Sequence, residues 1–542
     1  MTASGGGPSR VEGACGIGSP RSDRFRSRAR LAVLLFPLLL YAGSLGHGFL
    51  IDDETIVRSN TRLSQDQGPG AIFGRPEQFA DFTLPYYRPL TNLSYWLDSR
   101  LWDSKPAGFH LTSWLLHAGN SLLVFETALS LGGQPLPALL AGLLFAAHPM
   151  HSESVVMVQG RTDLLATLFL LLSLLAFRRA LRPAAGGGLP AAAASYLCLA
   201  AALLCKETAA VWPLLAAGLL WADASPAGVA PPRRRWALLA GGLGVLAAVL
   251  LLRGVVLGHL APVELPRPDT ARLALAAITL TSYLWLLLWP FSFTFLRPLS
   301  APTGLLEPRA LGALLLVSAV LGGLVLLGRR HRLAALGVVW TLVPLLPVLN
   351  LFPIPGFSLA ERYLYLPSVG FCLLLADGGA RMLAAGRRPA VQRAVLLLAL
   401  ALLIAYTVAI QTRIAEWADP LRVYESMAAR APTSFFAQGK LGLEYQRAGR
   451  LAEAVAALAR ARDLEPANPV AWNNLGVALA AAGRLEEARE AYRRAVALRP
   501  DYAKAHQNLG HVLNALGDRP GAEAAFSRAR ALAVGGDEAA VR

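Results

Sequence analysis

The chain has 542 residues, of which 55% are hydrophobic and 16% are charged, and its mean hydropathy is +0.45. This composition excludes an ordinary soluble globular protein and indicates a polytopic membrane protein. The net charge of +16 does not indicate nucleic-acid binding, because the arginines stand in short runs between apolar segments, as the positive-inside rule expects. The four cysteines form no CxxC pair, so neither a disulfide framework nor a zinc site is indicated.

The N-terminal residues 1–30 are rich first in glycine and serine and then in arginine, and we predict a disordered basic segment there. The apolar run at 31–51 is long enough to cross a bilayer as an uncleaved signal-anchor. Three carboxylates follow it directly: Asp52, Asp53 and Glu54. A solvated helix end is the plain interpretation of this triplet, and a functional site at the membrane boundary is the sharper one. The basic flank places the triplet on the outer side of the membrane.

Residues 52–108 are polar, and we interpret them as the first outer loop, with an interfacial helix in its aromatic second half. Apolar runs then fill most of the chain up to residue 411. They lie at 109–131, 136–147, 164–177, 191–205, 207–222, 236–258, 273–291, 310–328, 333–352, 363–383 and 394–411.

The basic clusters between these runs should be cytoplasmic, so an even number of crossings must separate any two of them. Three runs lie between Arg235 and Arg329. We therefore predict that one of the three, 273–291, is re-entrant or interfacial and does not cross fully. The result is a multi-span membrane domain at 31–411 with about eleven spans, followed by a connector at 412–434 on the outer side.

The composition becomes soluble, charged and alanine-rich after Pro432, and a period of 34 residues is present. Small residues and prolines recurring at that period are typical of tetratricopeptide repeats. We predict an all-α architecture in which a membrane bundle precedes three such repeats at 435–536, with a short tail at 537–542. The recurring residues are Pro432, Pro466 and Pro500, then Gly449, Gly483 and Gly517, then Ala461, Ala495 and Ala529.

A membrane enzyme that moves a group from a lipid carrier needs a carboxylate to take the acceptor's proton and cations to hold the phosphate leaving group. Asp52 or Asp53 could be the general base, with Glu54 the least favoured of the triplet. Four cations on the predicted outer side are candidate phosphate ligands, and an interfacial or paired charge is the alternative for each. They are Arg88, Arg161, Lys206 and Arg362.

His148, His151 and Glu153 form a second polar cluster. Metal binding is the less favoured interpretation, because the HExxH arrangement is absent and Pro149 favours a loop. Contact with substrate or orientation of the carboxylates is the plainer role. Glu361 stands beside Arg362, and the two could either neutralise each other or leave Arg362 to a phosphate.

Several motifs together resemble the transmembrane and tetratricopeptide-repeat-containing protein O-mannosyltransferases and their bacterial relatives. The resemblance covers about residues 31–536. The motifs are Phe49-Leu50-Ile51-Asp52-Asp53, Tyr87-Arg88-Pro89-Leu90-Thr91, His148-Pro149-x-His151-x-Glu153, Gly160-Arg161-x-Asp163-Leu164-Leu165-Ala166, Cys205-Lys206-Glu207 and Ala360-Glu361-Arg362-x-Leu364-Tyr365-Leu366-Pro367-Ser368.

The resemblance implies a GT-C glycosyltransferase fold and a polyprenyl- or dolichyl-phosphate sugar donor, with mannose as the sugar in eukaryotic members. It also implies a catalytic acidic residue in the first outer loop, here Asp52 or Asp53. This sequence has only three repeats and a short region between 258 and 310, which favours a bacterial relative. We therefore expect a bacterial inner membrane, with the endoplasmic reticulum as the alternative, and repeats on the periplasmic or luminal side.

The leading hypothesis is an inverting enzyme that moves a sugar from a lipid phosphate to Ser or Thr of a polypeptide presented by the repeats. The expected partners are the lipid carrier and the acceptor polypeptide, with no nucleic acid and no divalent metal. The alternative is a non-catalytic membrane scaffold that uses its repeats to bind a partner. A transporter is a weaker third hypothesis, because the polar residues lie in outer loops and not at mid-membrane.

Overall fold

The structure is a computed structural model that describes residues 20–50, 53, 56–57, 68–74, 86–132, 134–182, 188–222, 231–258, 269–292, 297, 299, 302–351, 359–386 and 389–539. These residues are almost entirely helical, and no strand occurs among them. The all-α prediction is therefore confirmed.

The membrane half is a bundle in which several helices begin at a proline, whose fixed φ suits the first helical turn. Its longer helices are α1 (Pro20–Leu40), α2 (Pro89–Trp102), α3 (Pro106–Gly132), α4 (Pro135–Ala146), α5 (Arg161–Ala180), α6 (Gly188–Cys205), α7 (Trp212–Ala222), α8 (Pro232–Leu257), α9 (Thr270–Leu288), α10 (Pro308–Arg330), α11 (Arg332–Leu342), α12 (Pro367–Ala385) and α13 (Pro389–Trp417), and two short helices lie at Gly68–Gly74 and Ser152–Val156.

Seven helical segments in the described ranges are long and apolar enough to cross a membrane, which confirms a multi-pass membrane protein. Three further apolar segments are shorter, at Pro135–Ala146, Glu207–Ala222 and Arg332–Val348. The seven are Val158–Ala180, Gly188–Cys205, Pro232–Leu257, Thr270–Leu288, Pro308–Arg330, Pro367–Ala385 and Pro389–Trp417.

Contacts between helix termini define two ends of the bundle. At one end, which we call the Asp53 end, Asp53 bonds to the turn that leads into α5, and Lys206, just after α6, pairs with Asp163 at the start of α5. At the other end, which we call the arginine end, Gly188 at the start of α6 lies beside Arg234 at the start of α8. His331, just after α10, contacts Arg381 near the end of α12 at this same arginine end.

These contacts fix the direction of α8 and α10, two of the three helices that correspond to the apolar runs between Arg235 and Arg329. α8 runs from the arginine end to the Asp53 end, where its Arg253 pairs with Glu207. α10 ends at the arginine end, beside His331. Helix α8 therefore ends at the Asp53 end, and α10 begins there. This agrees with an even number of crossings between Arg235 and Arg329. Because α9 is itself long and apolar enough to be a span, its re-entrant course and the eleven-span count stay predictions.

The first apolar run differs from its prediction. We expected one span over 31–51, whereas α1 ends at Leu40 and a 3-10 helix follows at Ala42–Gly46. Gly43, Gly46 and Gly48 explain the early end, because glycine in a helix interior is destabilising by about 1 kcal/mol relative to alanine.

Small residues allow close contact between membrane helices. A Cβ on Gly370 of α12 would lie 2.4 Å from the backbone nitrogen of Thr341 of α11. No larger residue fits at this crossing without moving the backbone, as is common where membrane helices pack through small residues.

The C-terminal part forms the predicted repeats. Gly442, Gly476 and Gly510 each lie where two helices of a repeat cross, and a Cβ at Gly442 would meet Leu458. Gly449, Gly483 and Gly517 have positive φ in the turns between paired helices, which explains their 34-residue recurrence. The repeat helices are α15 (Phe435–Arg447), α16 (Leu451–Leu464), α17 (Pro469–Ala481), α18 (Leu485–Leu498), α19 (Ala503–Ala515) and α20 (Arg519–Ala539).

The predicted connector is itself helical. Helix α13 continues to Trp417, and α14 (Pro420–Arg430) starts after Asp419, whose carboxylate caps it by accepting from the backbone N–H of Leu421 at 3.0 Å. One hydrophobic cluster runs without a break from Trp417 of α13 through Tyr424 of α14 to Leu441 of α15. The first repeat is therefore packed against the membrane half through α14.

Candidate active site

Asp53 occupies a fully buried position at the Asp53 end. Its carboxylate accepts hydrogen bonds from the backbone N–H of Gln159 at 2.8 Å and of Val158 at 3.0 Å. Both carboxylate oxygens are used, because Gln159 donates to Oδ1 and Val158 to Oδ2. Asp53 thereby holds the turn that begins α5. The other two acids of the triplet lie outside the described residues: Asp52 and Glu54.

Glu153 and Arg362 form a second buried contact at this end. Glu153 accepts a hydrogen bond from the backbone N–H of Arg362 at 2.9 Å and another from its guanidinium at 3.2 Å. The same guanidinium donates to Oε1 of Gln159, next to the Asp53 contact. Burial raises the pKa of Glu153, and the Arg362 cation opposes that shift. Gln159 therefore links Arg362 to Asp53.

Lys206 and Arg88 lie at the same end of the bundle, and each pairs with a carboxylate. The ammonium of Lys206 donates to both carboxylate oxygens of Asp163, at 2.6 and 2.7 Å. Arg88 pairs with Glu207 at 2.8 Å, and Glu207 also receives Arg253 at 2.7 Å. Each of the two predicted cations therefore has a carboxylate partner in the absence of substrate.

Arg88, Lys206 and Arg362 together form what we call the cation cluster. The Lys206 ammonium lies 5.1 Å from the centre of the Tyr363 ring, and the Arg362 guanidinium lies 5.6 Å from the same ring. Burial lowers the pKa of Lys206, Asp163 opposes this, and the nearby charges of Arg88 and Arg362 lower it further. A phosphate dianion would relieve this mutual repulsion of three cations.

Arg161 has a different environment from the cation cluster. It is fully buried, pairs with Asp98 of α2 at 2.7 Å and donates to the carbonyl of Phe109 at 2.9 Å. Its guanidinium also lies 5.1 Å from the ring of Tyr95. These contacts fasten α2 to the start of α5. In this arrangement Arg161 supports the loop, while its predicted contact with phosphate stays a prediction.

His148 and His151 are buried among aromatic rings and are not directed at the cation cluster. His151 hydrogen-bonds Ser368 at 2.7 Å and lies 4.5 Å from the ring of Phe145. Burial lowers the pKa of His148 to about 4 and that of His151 well below its ordinary value, so both rings are neutral near pH 7. Among the described residues no group of three His, Cys, Asp or Glu could hold a metal ion.

Glu361 is fully buried and bonds away from the cation cluster. Its carboxylate pairs with Arg413 of α13 at 2.8 Å and with Arg297 at 3.5 Å. The first predicted alternative, in which Glu361 and Arg362 neutralise each other, does not describe this geometry, since Arg362 pairs with Glu153.

Six charged residues that the structure describes in ion pairs at this end were not predicted as site residues. Two of them, Arg253 and Arg413, are lone arginines within or at the end of apolar runs, where an unpaired charge is costly. That cost is a signal by which sequence reasoning could have found both. The carboxylates that pair with Arg88 and Arg161 lie far from them along the chain and have no such signal. The six are Asp98, Asp163, Glu207, Arg253, Arg297 and Arg413.

The fold and the site define a polytopic helical membrane protein with a charged site at one end of its bundle and an attached tetratricopeptide array. Two family models described as tetratricopeptide repeat match residues 440–503 and 479–541. The Homo sapiens protein O-mannosyl-transferase TMTC4 is 30% identical over 461 residues, which are 74% of this chain and 62% of that protein. The Drosophila melanogaster protein O-mannosyl-transferase Tmtc1 is 28% identical over 522 residues, covering 77% of this chain and 59% of that protein.

Over about three quarters of its length the chain is therefore similar to proteins named TMTC protein O-mannosyl-transferases, and its C-terminal part is a tetratricopeptide-repeat array. It spans about three fifths of the length of the curated relatives it matches. A crystal structure of MamA is 20% identical with a TM-score of 0.22, covering 31% of this chain and 92% of that one, a likeness too weak to add to the assignment.

Proposed function

We propose that this protein transfers a sugar, mannose by analogy with its named relatives, from a polyprenyl- or dolichyl-phosphate carrier to Ser or Thr of an acceptor polypeptide. The observation that carries the proposal is the cation cluster, which lies at the same end of the bundle as Asp53. The relatives at 28 to 30% identity are named protein O-mannosyl-transferases, which supports the same reaction.

The cation cluster is proposed to hold the lipid phosphate. Arginine binds phosphate through two parallel N–H donors, and lysine adds a compact charge. In the structure, carboxylates occupy these donors: Glu207 at Arg88, Asp163 at Lys206 and Glu153 at Arg362. A bound phosphate would share these cations, and the carboxylates would keep the cation side chains oriented.

Asp52 is proposed as the general base. Asp53 already uses both oxygens to accept backbone N–H groups, so its free capacity as a base is small. In the reaction, the acceptor hydroxyl oxygen attacks the anomeric carbon as its proton passes to the carboxylate. The bond between the anomeric carbon and the phosphate oxygen breaks, and the lipid phosphate leaves with that electron pair. Attack opposite the leaving group inverts the anomeric configuration.

The repeats are proposed to bind the acceptor polypeptide. Tetratricopeptide arrays are protein-binding modules with an extended concave surface, and here the array joins the bundle at the Asp53 end through α13 and α14. We propose that this end faces the periplasm or the lumen. The bacterial inner membrane, with the endoplasmic reticulum as alternative, stays a prediction, as does the identity of the sugar.

The test is a transfer assay on the purified protein in lipid vesicles. Dolichyl-phosphate mannose or polyprenyl-phosphate mannose is added with a Ser/Thr-rich polypeptide, and glycosylated product is identified by mass spectrometry. We expect mannosylated Ser or Thr, and we expect the yield to survive a chelator, because Arg and Lys supply the charge that a divalent cation would otherwise give.

The contrary outcome of this assay separates the two hypotheses. Absence of transfer with every lipid-phosphate sugar, combined with capture of a polypeptide by the repeats, would contradict the enzyme and favour the scaffold. Loss of transfer on chelation would retain the enzyme and overturn its independence of metal.

A further inference from the structure

A buried ion pair joins the helix that carries the repeats to the segment that carries Arg362. Arg413 lies in the last turns of α13, is 2% exposed, and donates through Nη2 to Glu361 at 2.8 Å. Glu361 is fully buried and is the residue immediately before Arg362. Because both charges are buried, removing one partner of the pair would be costly, even though Glu361 keeps a longer contact with Arg297 at 3.5 Å.

The pair acts on the same short turn that orients Arg362. This turn, Glu361–Leu364, is a single 3-10 segment, and Arg362 contributes both its backbone N–H and its guanidinium to Glu153. The ion pair with Arg413 therefore fixes Glu361, and the hydrogen bonds to Glu153 fix Arg362, the next residue of the turn. A displacement of Arg413 would move Glu361 and, through one peptide unit, Arg362.

The other side of Arg413 leads to the repeats. Its guanidinium lies 4.8 Å from the ring of Trp417, one turn further along α13. Trp417 is buried in the hydrophobic cluster that continues into α14 and the first repeat helix α15. Because packed helices linked in this way have few independent motions, a shift of the first repeat would also displace Arg413.

We propose that the Glu361–Arg413 pair is a positioning device that couples the occupancy of the repeats to the placement of Arg362 in the cation cluster. The inference rests on the proposed function, since it takes Arg362 as a ligand of the donor phosphate and the repeats as the acceptor site. Polypeptide bound to the repeats tightens the hold on the lipid-phosphate sugar, and the reverse follows from thermodynamic linkage. The enzyme thereby binds donor most strongly when an acceptor is in place.

The experiment measures the affinity of the vesicle-bound full chain for the lipid-phosphate sugar, with and without a polypeptide whose Ser and Thr are all replaced by Ala. This polypeptide can occupy the repeats but cannot react. We expect it to tighten donor binding of the natural protein by about fivefold or more, the lower range of measured allosteric coupling.

The informative variant is the double substitution Glu361→Gln and Arg413→Gln. It removes both charges of the pair together, whereas each single variant would remove one charge and leave the other buried. We expect donor affinity of this variant to be weaker and to be unchanged by the polypeptide. Arg413→Lys keeps the charge and should restore part of the coupling, which keeps the test usable even if the double variant folds poorly.

A matched control is Arg381→Gln, which breaks an ion pair with Asp377 at 2.7 Å at the arginine end. It should keep the full effect of the polypeptide on donor affinity. A double-mutant cycle adds a second readout: with Arg362→Gln already present, the Arg413→Gln change should add little further loss of donor affinity, because it acts through Arg362.

Two results would overturn the coupling: an unreactive polypeptide that leaves donor affinity of the natural protein unchanged, or a double variant that keeps the natural response. Failure of the proposed function looks different. In that case the natural protein does not transfer sugar to a Ser/Thr polypeptide at all, whatever the state of the Glu361–Arg413 pair.

Discussion

The side chains at the Asp53 end form two groups. Some are buried and hold loops and helices in place, and others are partly exposed and can contact a substrate. Asp53 and Arg161 bond to backbone groups and are fully buried, so each of them supports a loop or a helix. Arg88 and Arg362 are partly exposed, with side-chain exposures of 22% and 13%. They are the members of the cation cluster most open to a phosphate, while Lys206 is buried beside them.

Lys206 gives a prediction about pH. Its pKa is lowered chiefly by burial, so its charge is lost at a lower pH than that of an ordinary lysine. As the pH rises through that lowered pKa, the ammonium becomes neutral and contact with the donor phosphate weakens. We expect the KM for the lipid-phosphate sugar to rise with pH in the natural protein. The Lys206→Arg variant should lack this rise, because arginine stays charged throughout.

Steady-state measurements from neutral to alkaline pH, with the folded state checked at each pH, provide the comparison. An identical rise in KM in both proteins would assign the pH dependence to some other group and remove Lys206 from the phosphate site.

Among the helices, α2 offers a test of whether Arg161 supports the fold or binds the donor. Replacing Arg161 by Leu leaves Asp98 buried without its cation, and breaking a buried pair costs about 3–5 kcal/mol of stability. The double variant Arg161→Leu and Asp98→Leu removes both charges and should recover most of that loss. Thermal unfolding in detergent measures both effects.

Donor affinity distinguishes the two roles of Arg161. A structural role predicts that the stable double variant retains binding of the lipid-phosphate sugar within a few-fold. If the double variant is stable and yet binds no donor, Arg161 is a phosphate ligand after all.

Some elements follow directly from the sequence, and others depend on contacts that a sequence does not display. The 34-residue period predicted the repeats because Gly449 and its counterparts need positive φ at each turn. The basic clusters predicted an even number of crossings between Arg235 and Arg329, with which the helix directions agree. The end of α1 at Leu40 was missed because hydropathy does not register the helix-breaking effect of three nearby glycines.

The candidate site was predictable as a set of residue types but not as a set of pairs. Arg88 and Glu207 are 119 positions apart, and Arg362 and Glu153 are 209 apart. Nothing local in the sequence relates such residues. For the same reason the sequence could not distinguish Arg161, which is enclosed by the fold, from Arg362, which is partly open.

For the whole molecule, the attachment of the repeats determines what they can do. They join the bundle at the Asp53 end, and the arginine-rich loops lie at the opposite end. By the positive-inside rule we expect the arginine end to be cytoplasmic, which would place the repeats and the site together on the outer face. In the proposed reaction, an acceptor held by the repeats would then reach the site without crossing the bilayer.

Topology can be tested with introduced cysteines in a chain whose Cys15 is replaced by serine. Arg484→Cys lies on the exposed repeats, and Arg330→Cys lies at the arginine end. A membrane-impermeant thiol reagent added to the outer face of intact cells or sealed vesicles should label the first and spare the second. The reverse labelling pattern would place the site in the cytoplasm and contradict the orientation.

The central claim is that Asp52 is the base and that Asp53 holds the loop. The decisive measurement is sugar transfer from a lipid-phosphate donor, together with the thermal unfolding temperature, for Asp52→Asn and Asp53→Asn. Asp52→Asn should unfold like the natural protein and lose transfer by about 100-fold or more, the usual contribution of a general base. Asp53→Asn should unfold at a lower temperature. The amide NH2 would replace one carboxylate oxygen and lie against the backbone N–H of Val158 or Gln159, and two donors cannot form a hydrogen bond. Full transfer by the Asp52→Asn protein would contradict the account.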